Sequence, residues 1–369
     1  MEIPTRNPLE GIKDVDAVPE LVQILTQKID RAYSQLRGLR KPEVRKLFEP
    51  LCYISPFDVE IEHPLRKPVA LFNPGALLVN ERELWVFPRI IPGYFWYPSA
   101  IGFFKLNLDK ILEGEALDKP IKVSIVVYPR NPWDIGGCED ARAQIVNNSL
   151  TILYTGIVPG ARKFHVYGGR SIQCLATLDR ELKVVRSGFL TIDYRGEKFL
   201  PSDWRDSAFV EGTKNEWSFL TRLNIKGVMV CWKSILNVDD LTVRLDTLEP
   251  TLVNEPWEYK VGWSTNTVRI GKDEYLVGWH GVQVVDRRYL NGLAIVDSEG
   301  NVKAMTNYLL EPSRIEEYYG DRPGVIFGDG LVVHKDLVIW IGGVADQMIG
   351  VFVANLDKVM EAMLWIKKR

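Results

Sequence analysis

Ala143-Gln144-Ile145-Val146-Asn147-Asn148-Ser149-Leu150-Thr151-Ile152-Leu153-Tyr154 is the stretch of sequence that decides the fold. Two apolar and β-branched runs flank the polar turn at 147–149, and this pattern predicts a β-hairpin. Four other segments repeat a small or apolar run, a polar turn and an aromatic-rich strand, beginning at Ala76, Ala208, Thr267 and Leu331. The starts are roughly 60–70 residues apart, a period that is typical of a repeat architecture.

A short apolar strand follows each of the five hairpins. These strands are found at Ile101–Asp109, Ile172–Asp179, Met229–Leu236, Leu293–Asp297 and Ile349–Asp357. Each unit therefore supplies three to four antiparallel strands, and five such units in cyclic order predict an all-β, five-bladed β-propeller. Tyr53 to Ile61 is a candidate for the outer strand that closes the ring against the last blade.

The N-terminal part of the chain has a different pattern. From Val18 to about Phe48, apolar residues recur at steps of three and four, which predicts an amphipathic helix with Asp16 as a candidate cap and Pro19 in its first turn. Gly38 and Pro42 divide it into a long helix and a short one. We expect a helical extension at 1–50 and a propeller at 51–369. The helix could pack on its own propeller or on a second subunit.

The bulk composition excludes some classes of partner. The formal net charge is −2 and the pI is about 6.2, so no global basic field favours nucleic acid or an anionic membrane. The chain shows neither a signal peptide nor an apolar run that could span a membrane, which predicts a cytoplasmic protein. The four cysteines are far apart and the four histidines (His63, His165, His280 and His334) are scattered, so we expect no metal site.

The repeat changes the interpretation of Gly136-Gly137-Cys138-Glu139-Asp140-Ala141-Arg142. Alone, this is a charged turn of the kind usually found in solvated loops. In a propeller, however, the residues before each first strand meet at one mouth, and so do the ends of the returning strands. The first set is Asn73-Pro74-Gly75, Glu139–Arg142, Arg205-Asp206-Ser207, Ser264-Thr265-Asn266 and Gly328-Asp329-Gly330, and the second is Arg89, Thr155, Arg222, His280 and Asp346. The pattern predicts a convergent polar pocket.

Several of these segments resemble glycoside hydrolase family 130. They are Phe72-Asn73-Pro74-Gly75-Ala76, Gly137-Cys138-Glu139-Asp140-Ala141-Arg142, Lys260-Val261-Gly262, His280-Gly281, Glu311-Pro312 and Gly342-Gly343-Val344-Ala345-Asp346. The resemblance is spread over about residues 51–360 in the family's order, and the Gly-Cys-Glu-Asp element and the terminal Ala-Asp are its most specific parts. The family consists of five-bladed propellers that are chiefly β-mannoside phosphorylases.

The resemblance implies an inverting phosphorolysis of β-mannosides. Asp140 would be the general acid that protonates the leaving oxygen through a sugar hydroxyl, while inorganic phosphate, the co-substrate, attacks the anomeric carbon. No other cofactor is implied. Candidates for binding phosphate are Arg170, Arg205, Arg222, His280 and Tyr289. Candidates for binding the sugar are Asn73, Arg89, Glu139, Arg142, Lys260 and Asp346, with Trp133, Trp96 and Tyr97 as possible stacking platforms.

The sequence departs from the family at three places. Ala141 stands where the family usually has proline, Arg205 stands where it has lysine, and a basic pair is reduced to Thr221-Arg222. Two alternatives therefore remain open. One is an inverting β-mannoside hydrolase with Asp140 as acid and Asp206, Glu211 or Asp329 as base. The other is a non-catalytic propeller that binds glycans or a protein. A homo-oligomer formed through the N-terminal helix is also possible.

Overall fold

In the computed structural model, residues 9, 11–62, 66–93, 97–159 and 170–366 are described. Three α-helices occur in this part of the chain: α1 (Pro19–Leu36), α2 (Leu108–Leu112) and α3 (Leu356–Glu361). None of the helices in these ranges is both long and apolar enough to cross a membrane. The rest of the ordered structure is almost entirely β-strand.

The strands form five sheets, which we number in chain order. Two short strands, β1 (Lys13–Asp14) and β2 (Glu49–Ile54), come first in the chain and join the third and the fifth sheet. The first sheet contains β3 (Val59–Ile61), β4 (Ala70–Leu78), β5 (Glu83–Ile91), β6 (Ala100–Asn107) and β7 (Ile121–Val127). The second contains β8 (Cys138–Val146), β9 (Ser149–Val158), β10 (Arg170–Leu178) and β11 (Val184–Phe189).

The third sheet contains β12 (Thr191–Tyr194), β13 (Glu197–Leu200), β14 (Trp204–Gly212), β15 (Glu216–Ile225), β16 (Val228–Asn237), β17 (Thr242–Arg244), β18 (Glu249–Leu252) and also β1. The fourth contains β19 (Glu258–Gly271), β20 (Glu274–Gln283), β21 (Tyr289–Val296), β22 (Val302–Met305) and β26 (Leu364–Trp365). The fifth contains β23 (Ile326–His334), β24 (Leu337–Val344), β25 (Met348–Asn355) and β2. The predicted all-β, propeller-like architecture is confirmed.

The strands β4, β8, β14, β19 and β23, which we call the inner strands, lie at one edge of each sheet and contact one another in a closed ring. The amide of Gln144 on β8 donates to the carbonyl of Phe209 on β14 (2.9 Å), and the Thr267 hydroxyl on β19 donates to the same carbonyl (2.6 Å). Asn266 exchanges hydrogen bonds with the backbone of Leu331 on β23. These bonds fix the spacing of neighbouring sheets at the centre.

Small residues complete the ring where β4 meets its neighbours. A Cβ at Gly75 would lie 2.5 Å from the carbonyl oxygen of Ala141 on β8, and one at Gly330 would lie 2.6 Å from the Cβ of Ala76. Glycine is therefore required at both positions, because a side chain would push the inner strands apart.

The ring is closed by N-terminal strands, as expected, but at shifted positions. β2 (Glu49–Ile54) pairs antiparallel with β25 and completes the fifth sheet, so the closing strand begins before Tyr53. The remainder of the predicted segment contains β3 (Val59–Ile61), which pairs in parallel with β7 of the first sheet instead. The N-terminal segment thus connects the last sheet to the first.

The N-terminal helix packs on its own chain. Its apolar stripe (Leu21, Leu25, Ile29 and Ala32) is buried in the core of the second and third sheets, and Tyr33 donates to the side chain of Asn254. Pro19 occupies the first turn as predicted, but the N-cap is Val18 rather than Asp16. The predicted short second helix is wrong, since residues 37–48 contain only an isolated bridge from Val44 to Tyr308.

Candidate active site

A β-bulge interrupts each of the five inner strands at the same level. The ladder shifts register between Phe72 and Gly75, Glu139 and Arg142, Arg205 and Ala208, Trp263 and Thr267, and Gly328 and Gly330. We expected these segments to be loops before the strands, and that was wrong: each strand continues through them. The bulged residues Asn73, Asp140 and Asp206 have φ angles of 44°, 54° and 57°, and such bulges re-aim side chains out of the ladder.

The bulged residues and the returning strands line one cavity. Twelve of the predicted residues are in its wall: Asn73, Arg89, Tyr97, Glu139, Asp140, Arg205, Asp206, Arg222, Lys260, His280, Tyr289 and Asp346. The returning strands contribute to the same wall because their residues pair directly with inner-strand residues next to the bulges. Arg89 pairs with Phe72, Arg222 with Arg205, and His280 with Gly262. The predicted convergent pocket is therefore present.

One side of this cavity, which we call the carboxylate half, contains Asn73, Arg89, Glu139, Asp140 and Asp346. The amide of Asn73 donates to Oδ1 of Asp140 at 2.8 Å, and Arg89 donates to the same oxygen at 3.4 Å. Among the described residues, no hydrogen bond reaches Oδ2 of Asp140. The side chain is thus held by one oxygen while the other remains available to a ligand.

Glu139 and Asp346 complete the carboxylate half. Glu139 is buried and accepts from Arg89 (2.7 Å) and from Arg205 (3.0 Å). Asp346, whose side chain is 14% exposed, lies 3.4 Å from the guanidinium of Arg322. Burial raises the pKa of Asp346 to about 6, because Arg322 and Arg89 only partly offset the loss of solvation. The guanidinium of Arg89 thus serves the neighbouring carboxylates Glu139 and Asp140 as their ion-pair partner.

The other side, the cationic half, contains Arg205, Arg222, Lys260, His280 and Tyr289. Asp203 connects the two arginines: its Oδ1 accepts from Nε of Arg205 and its Oδ2 from Nη1 of Arg222, both at 2.9 Å. Burial alone would raise the pKa of Asp203, but the guanidiniums of Arg222 and Arg205 outweigh burial and hold it below its ordinary value. Asp203 is therefore an ionised carboxylate within a cationic site.

The imidazole of His280 is fully buried and stacks on Tyr289, with ring centroids 5.2 Å apart. Its Nδ1 is 3.0 Å from the hydroxyl of Ser264, and its Nε2 has no partner among the described residues. Burial lowers the pKa of His280 well below its ordinary value, so the ring is neutral at pH 7. The ammonium of Lys260 lies 5.2 Å from the Tyr289 ring.

Arg142 lies beneath the cavity and is not part of its wall. Its guanidinium donates to the backbone carbonyls of Ser264 (2.8 Å) and Asp140 (2.9 Å) and lies 2.8 Å from Asp329 and 3.3 Å from Asp206. We expected Arg142 to bind sugar. Its place is instead structural: it connects four of the inner strands directly below the bulges.

The three carboxylates proposed as a hydrolytic base have different surroundings. Asp206 is held by Arg222 (2.5 Å) and Arg142, whose charges outweigh burial and lower its pKa below the ordinary value. Asp329 is completely buried against Arg142, and burial raises its pKa well above the ordinary value. Glu211 lies outside the cavity wall and contacts Tyr275 and Arg269. Only Asp206 is in the cavity wall.

Some predicted residues are not brought to the cavity. Arg170 pairs with Asp14 and donates to the carbonyl of Leu200 (3.2 Å), so it does not line the cavity. Trp133 packs on Phe189 in the core. Of the other predicted stacking platforms, Tyr97 does line the cavity, where its hydroxyl donates to Asp321 at 3.1 Å. Trp96, His63 and His165 lie outside the described residues.

The sequence interpretation missed several residues in the cavity wall: Ser171, Asp203, Tyr259, Asp321, Arg322 and Phe327. Asp203 could have been found, because the two-residue alternation of a strand places it on the same face as Arg205. Asp321 and Arg322 come from a long irregular segment after the fourth sheet, where no periodicity exists.

Within the described ranges, no cluster of His, Cys, Asp and Glu side chains could hold a metal ion.

Comparisons with known proteins identify the family and the fold. The sequence profile of family Glyco_hydro_130, described as β-1,4-mannooligosaccharide phosphorylase, matches residues 38–364. A β-1,2-mannobiose phosphorylase of Thermoanaerobacter sp. (strain X514) is 27% identical over 268 residues, which cover 71% of this chain and 79% of the relative.

Solved structures share the fold. The β-1,2-mannobiose phosphorylase of Listeria innocua superimposes with a TM-score of 0.64 at 18% identity, over 84% of this chain and 96% of that one. A structure with a TM-score of 0.55 at 17% identity, covering 82% and 91%, comes from work on family members that are glycoside hydrolases targeting β-1,2-mannosidic linkages in Candida mannan. With its profile match over most of the sequence, the chain belongs to glycoside hydrolase family 130, a family of mannoside-active enzymes.

Proposed function

We propose that the protein catalyses inverting phosphorolysis of a β-mannosidic bond, giving mannose 1-phosphate and a shortened sugar. One observation carries the proposal: Asp140, with one free carboxyl oxygen, shares a single cavity with three cationic side chains (Arg205, Arg222 and Lys260). An acid and an anion site are what phosphorolysis requires, since phosphate is already a nucleophile and needs no base.

Asp140 is the general acid. Because Asn73 and Arg89 both donate to Oδ1, Oδ2, which accepts no hydrogen bond from the described residues, is the oxygen that delivers the proton. This proton passes to the leaving glycosidic oxygen, with a sugar hydroxyl as relay, as the carbon–oxygen bond breaks. The positive φ at Asp140 supports this role, because strained backbone conformations concentrate at functional sites.

Phosphate occupies the cationic half. A guanidinium has five N–H donors, and the protein contacts of Arg222 leave its Nη2 without a partner among the described residues. Tyr289 adds a hydroxyl, and Lys260, for which the resemblance implied a contact with the sugar, adds an ammonium beside it. If Nδ1 of His280 accepts from Ser264, Nε2 carries the hydrogen and donates to the anion. An oxygen of phosphate then forms the new bond to the anomeric carbon.

The hydrolytic alternative has weaker support. A general base must accept a proton from water, but Asp206 is already held by two guanidiniums that favour its ionised, unprotonated form. Asp329 has no access to the cavity, and Glu211 lies outside it. The related hydrolases show that the family accommodates that reaction. For this chain, the carboxylates offered by the sequence do not provide the base.

Several finer predictions belong to this proposal. We propose that each of the five sheets is one blade, that residues 1–50 form an extension of a propeller at 51–369, and that phosphate is the only co-reactant, without a cofactor. Arg89, Glu139 and Asp346 would contact the bound sugar. The cytoplasmic location and a homo-oligomer through the N-terminal helix stay predictions.

The proposal is tested by incubating the protein with β-1,2- and β-1,4-linked manno-oligosaccharides, with and without inorganic phosphate. We expect α-mannose 1-phosphate, identified by NMR, only when phosphate is present. Both linkages are included because the family description and the bacterial relative name different ones. Release of free mannose at the same rate without phosphate would overturn the proposal in favour of hydrolysis.

A further inference from the structure

Asp203 is an acidic side chain at the place where an anion would bind. It lines the cavity, its side chain is 22% exposed, and it lies between the two guanidiniums of the cationic half. Arg205 and Arg222 each use one N–H on it. A site designed only to attract anions would leave these donors free, so the carboxylate requires an explanation.

The charges of the cationic half make the same point. Arg205, Arg222 and Lys260 lie beside two carboxylates, Asp203 and Asp206, and Arg205 also pairs with Glu139 of the carboxylate half, so little positive charge is left uncompensated. Asp206 is 3% exposed and turned into its two arginine contacts, whereas Asp203 is more accessible. An anion seated on the free donors of Arg222 therefore has the oxygens of Asp203 as its neighbours.

A carboxylate beside a bound anion is repulsive unless a proton lies between them. Phosphate at neutral pH carries at least one P–O–H group, which can donate to a carboxylate oxygen. Sulfate at the same pH carries no proton, so its oxygen would face the carboxylate with no hydrogen bond. Repulsive elements of this kind are a general means of discrimination between similar ligands.

We propose that Asp203 accepts a hydrogen bond from the P–O–H group of phosphate and thereby makes the site selective for proton-bearing tetrahedral oxyanions over sulfate. This inference rests on the phosphate site of the proposed function and specifies how that site recognises its ligand. Arg205 and Arg222 hold Asp203 at both oxygens, which orients the remaining lone pairs towards the cavity. The unprotonated oxygens of the phosphate remain free to attack.

The reaction remains balanced with this contact. Hydrogen phosphate forms its new carbon–oxygen bond through an unprotonated oxygen, the glycosidic carbon–oxygen bond breaks, and the leaving oxygen receives the proton of Asp140. The product is the monoanion of mannose 1-phosphate, whose remaining P–O–H group still donates to Asp203. Solvent then reprotonates Asp140. Asp203 neither gains nor loses a proton in this sequence.

The test compares phosphate, arsenate and sulfate, of which only sulfate lacks a proton at neutral pH. We expect arsenate to replace phosphate as a co-substrate and sulfate to inhibit the wild type only at concentrations at least about 100-fold above the KM for phosphate. In Asp203→Asn, whose amide can donate to either anion, this ratio should fall by about 10- to 100-fold, the size of one hydrogen bond to a charged group.

Asp321→Asn is the matched control. It removes a carboxylate from the same cavity, but Asp321 bonds to Tyr97 and not to Arg205 or Arg222. A general charge effect would strengthen binding of both anions and leave their ratio unchanged in this variant. If Asp203→Asn weakens phosphate and sulfate equally, Asp203 only orders the arginines and the inference is overturned.

Direct binding of each anion to the wild type, measured by calorimetry, makes the test independent of whether the variant folds. Binding of sulfate as tight as that of phosphate would refute the selectivity, whatever the variants show. If product forms equally well without phosphate, the proposed function itself fails. If phosphate is required but sulfate competes on equal terms, only the role of Asp203 fails.

Discussion

The carboxylate half and the cationic half of the cavity are both formed at β-bulges of the inner strands. They differ in how many of their charged groups are paired with an opposite charge. In the first, Arg89 contacts both Glu139 and Asp140, and Asn73 fixes an oxygen of Asp140. In the second, Arg222 retains a free nitrogen and Lys260 has no carboxylate within ion-pair distance among the described residues. The comparison indicates that side chains with their charges fully paired hold an acid in position, whereas cationic side chains with unpaired donors can bind an anion.

The largest expected effect of a single substitution is on the acid of the carboxylate half. Asp140→Asn keeps the shape of the side chain but removes its proton, and kcat should fall by about 10²–10⁴-fold, the usual contribution of a general acid. Steady-state assays of mannose 1-phosphate release measure this loss. Thermal unfolding should change little, because the amide of Asn73 still has an oxygen to bind.

The control for this variant is a second cavity carboxylate, in Asp321→Asn. It should lose less than 10-fold in kcat, since within the described part of the chain no hydrogen bond or ion pair joins Asp321 directly to Asp140. Equal losses in the two variants would mean that the cavity needs negative charge in general, and Asp140 would lose its special role.

A smaller effect is expected in the cationic half. Arg222→Lys keeps the positive charge but cannot contact Asp206 and Asp203 while presenting further donors to phosphate, because lysine lacks the planar fork. The KM for phosphate should rise by about 10- to 100-fold, with a smaller change in the KM for the sugar. Initial rates over a matrix of phosphate and sugar concentrations separate the two.

Arg269→Lys is the corresponding control, because Arg269 is exposed and pairs with Glu211 outside the cavity. It should leave both KM values within about twofold, as expected for a surface ion pair. A parallel rise of both KM values in Arg222→Lys would indicate that the cavity had collapsed and would not support a separate anion site.

The smallest expected effect is on stability. The pKa of Asp346 is raised from 3.8 to about 6, so the folded state binds more protons than the unfolded state between these values. Stability therefore falls as pH rises through this interval, and the full cost is present above about pH 6. Asp346→Asn should raise the free energy of unfolding at pH 7.5 by on the order of 2 kcal/mol, with no gain at pH 3.5.

Denaturant unfolding at the two pH values checks this prediction, with the exposed Asp239→Asn as control. The gain should be specific to Asp346→Asn and should accompany reduced activity, which is the usual relation between a destabilised site and its function. If Asp346→Asn is destabilising at pH 7.5, the ion pair of Asp346 with Arg322 outweighs the cost of burying the carboxylate.

Much of the fold could be predicted, for reasons that particular residues show. The hairpin pattern of 143–154 occurs five times in the sequence, and each copy keeps apolar runs around a polar turn because its strands are buried between neighbouring sheets. The helix was placed correctly only up to Leu36. Beyond it, Val44 and β2 bind to distant strands, and such long-range pairings override the local helical pattern.

The candidate site was predicted less completely. Convergence at one mouth followed from the repeat, and together with the family resemblance it predicted twelve of the residues in the wall. The bulges were not visible in the sequence, because a bulge depends on how two strands pair. Without them, Arg142 could not be assigned to a position below the cavity. The contact of Arg170 with Asp14 depends instead on the N-terminal strand β1 reaching the third sheet.

The sequence by itself determined the repeat, the inner-strand segments and the chemical types that meet at the centre, because these depend on local pattern and on the cyclic order of the units. Only the tertiary structure decided which charges are satisfied. That property depends on contacts between residues far apart in the chain, such as Asp140 with Asn73 and Arg205 with Glu139. This difference in ion pairing distinguishes the side of the cavity that is suited to an acid from the side that is suited to an anion.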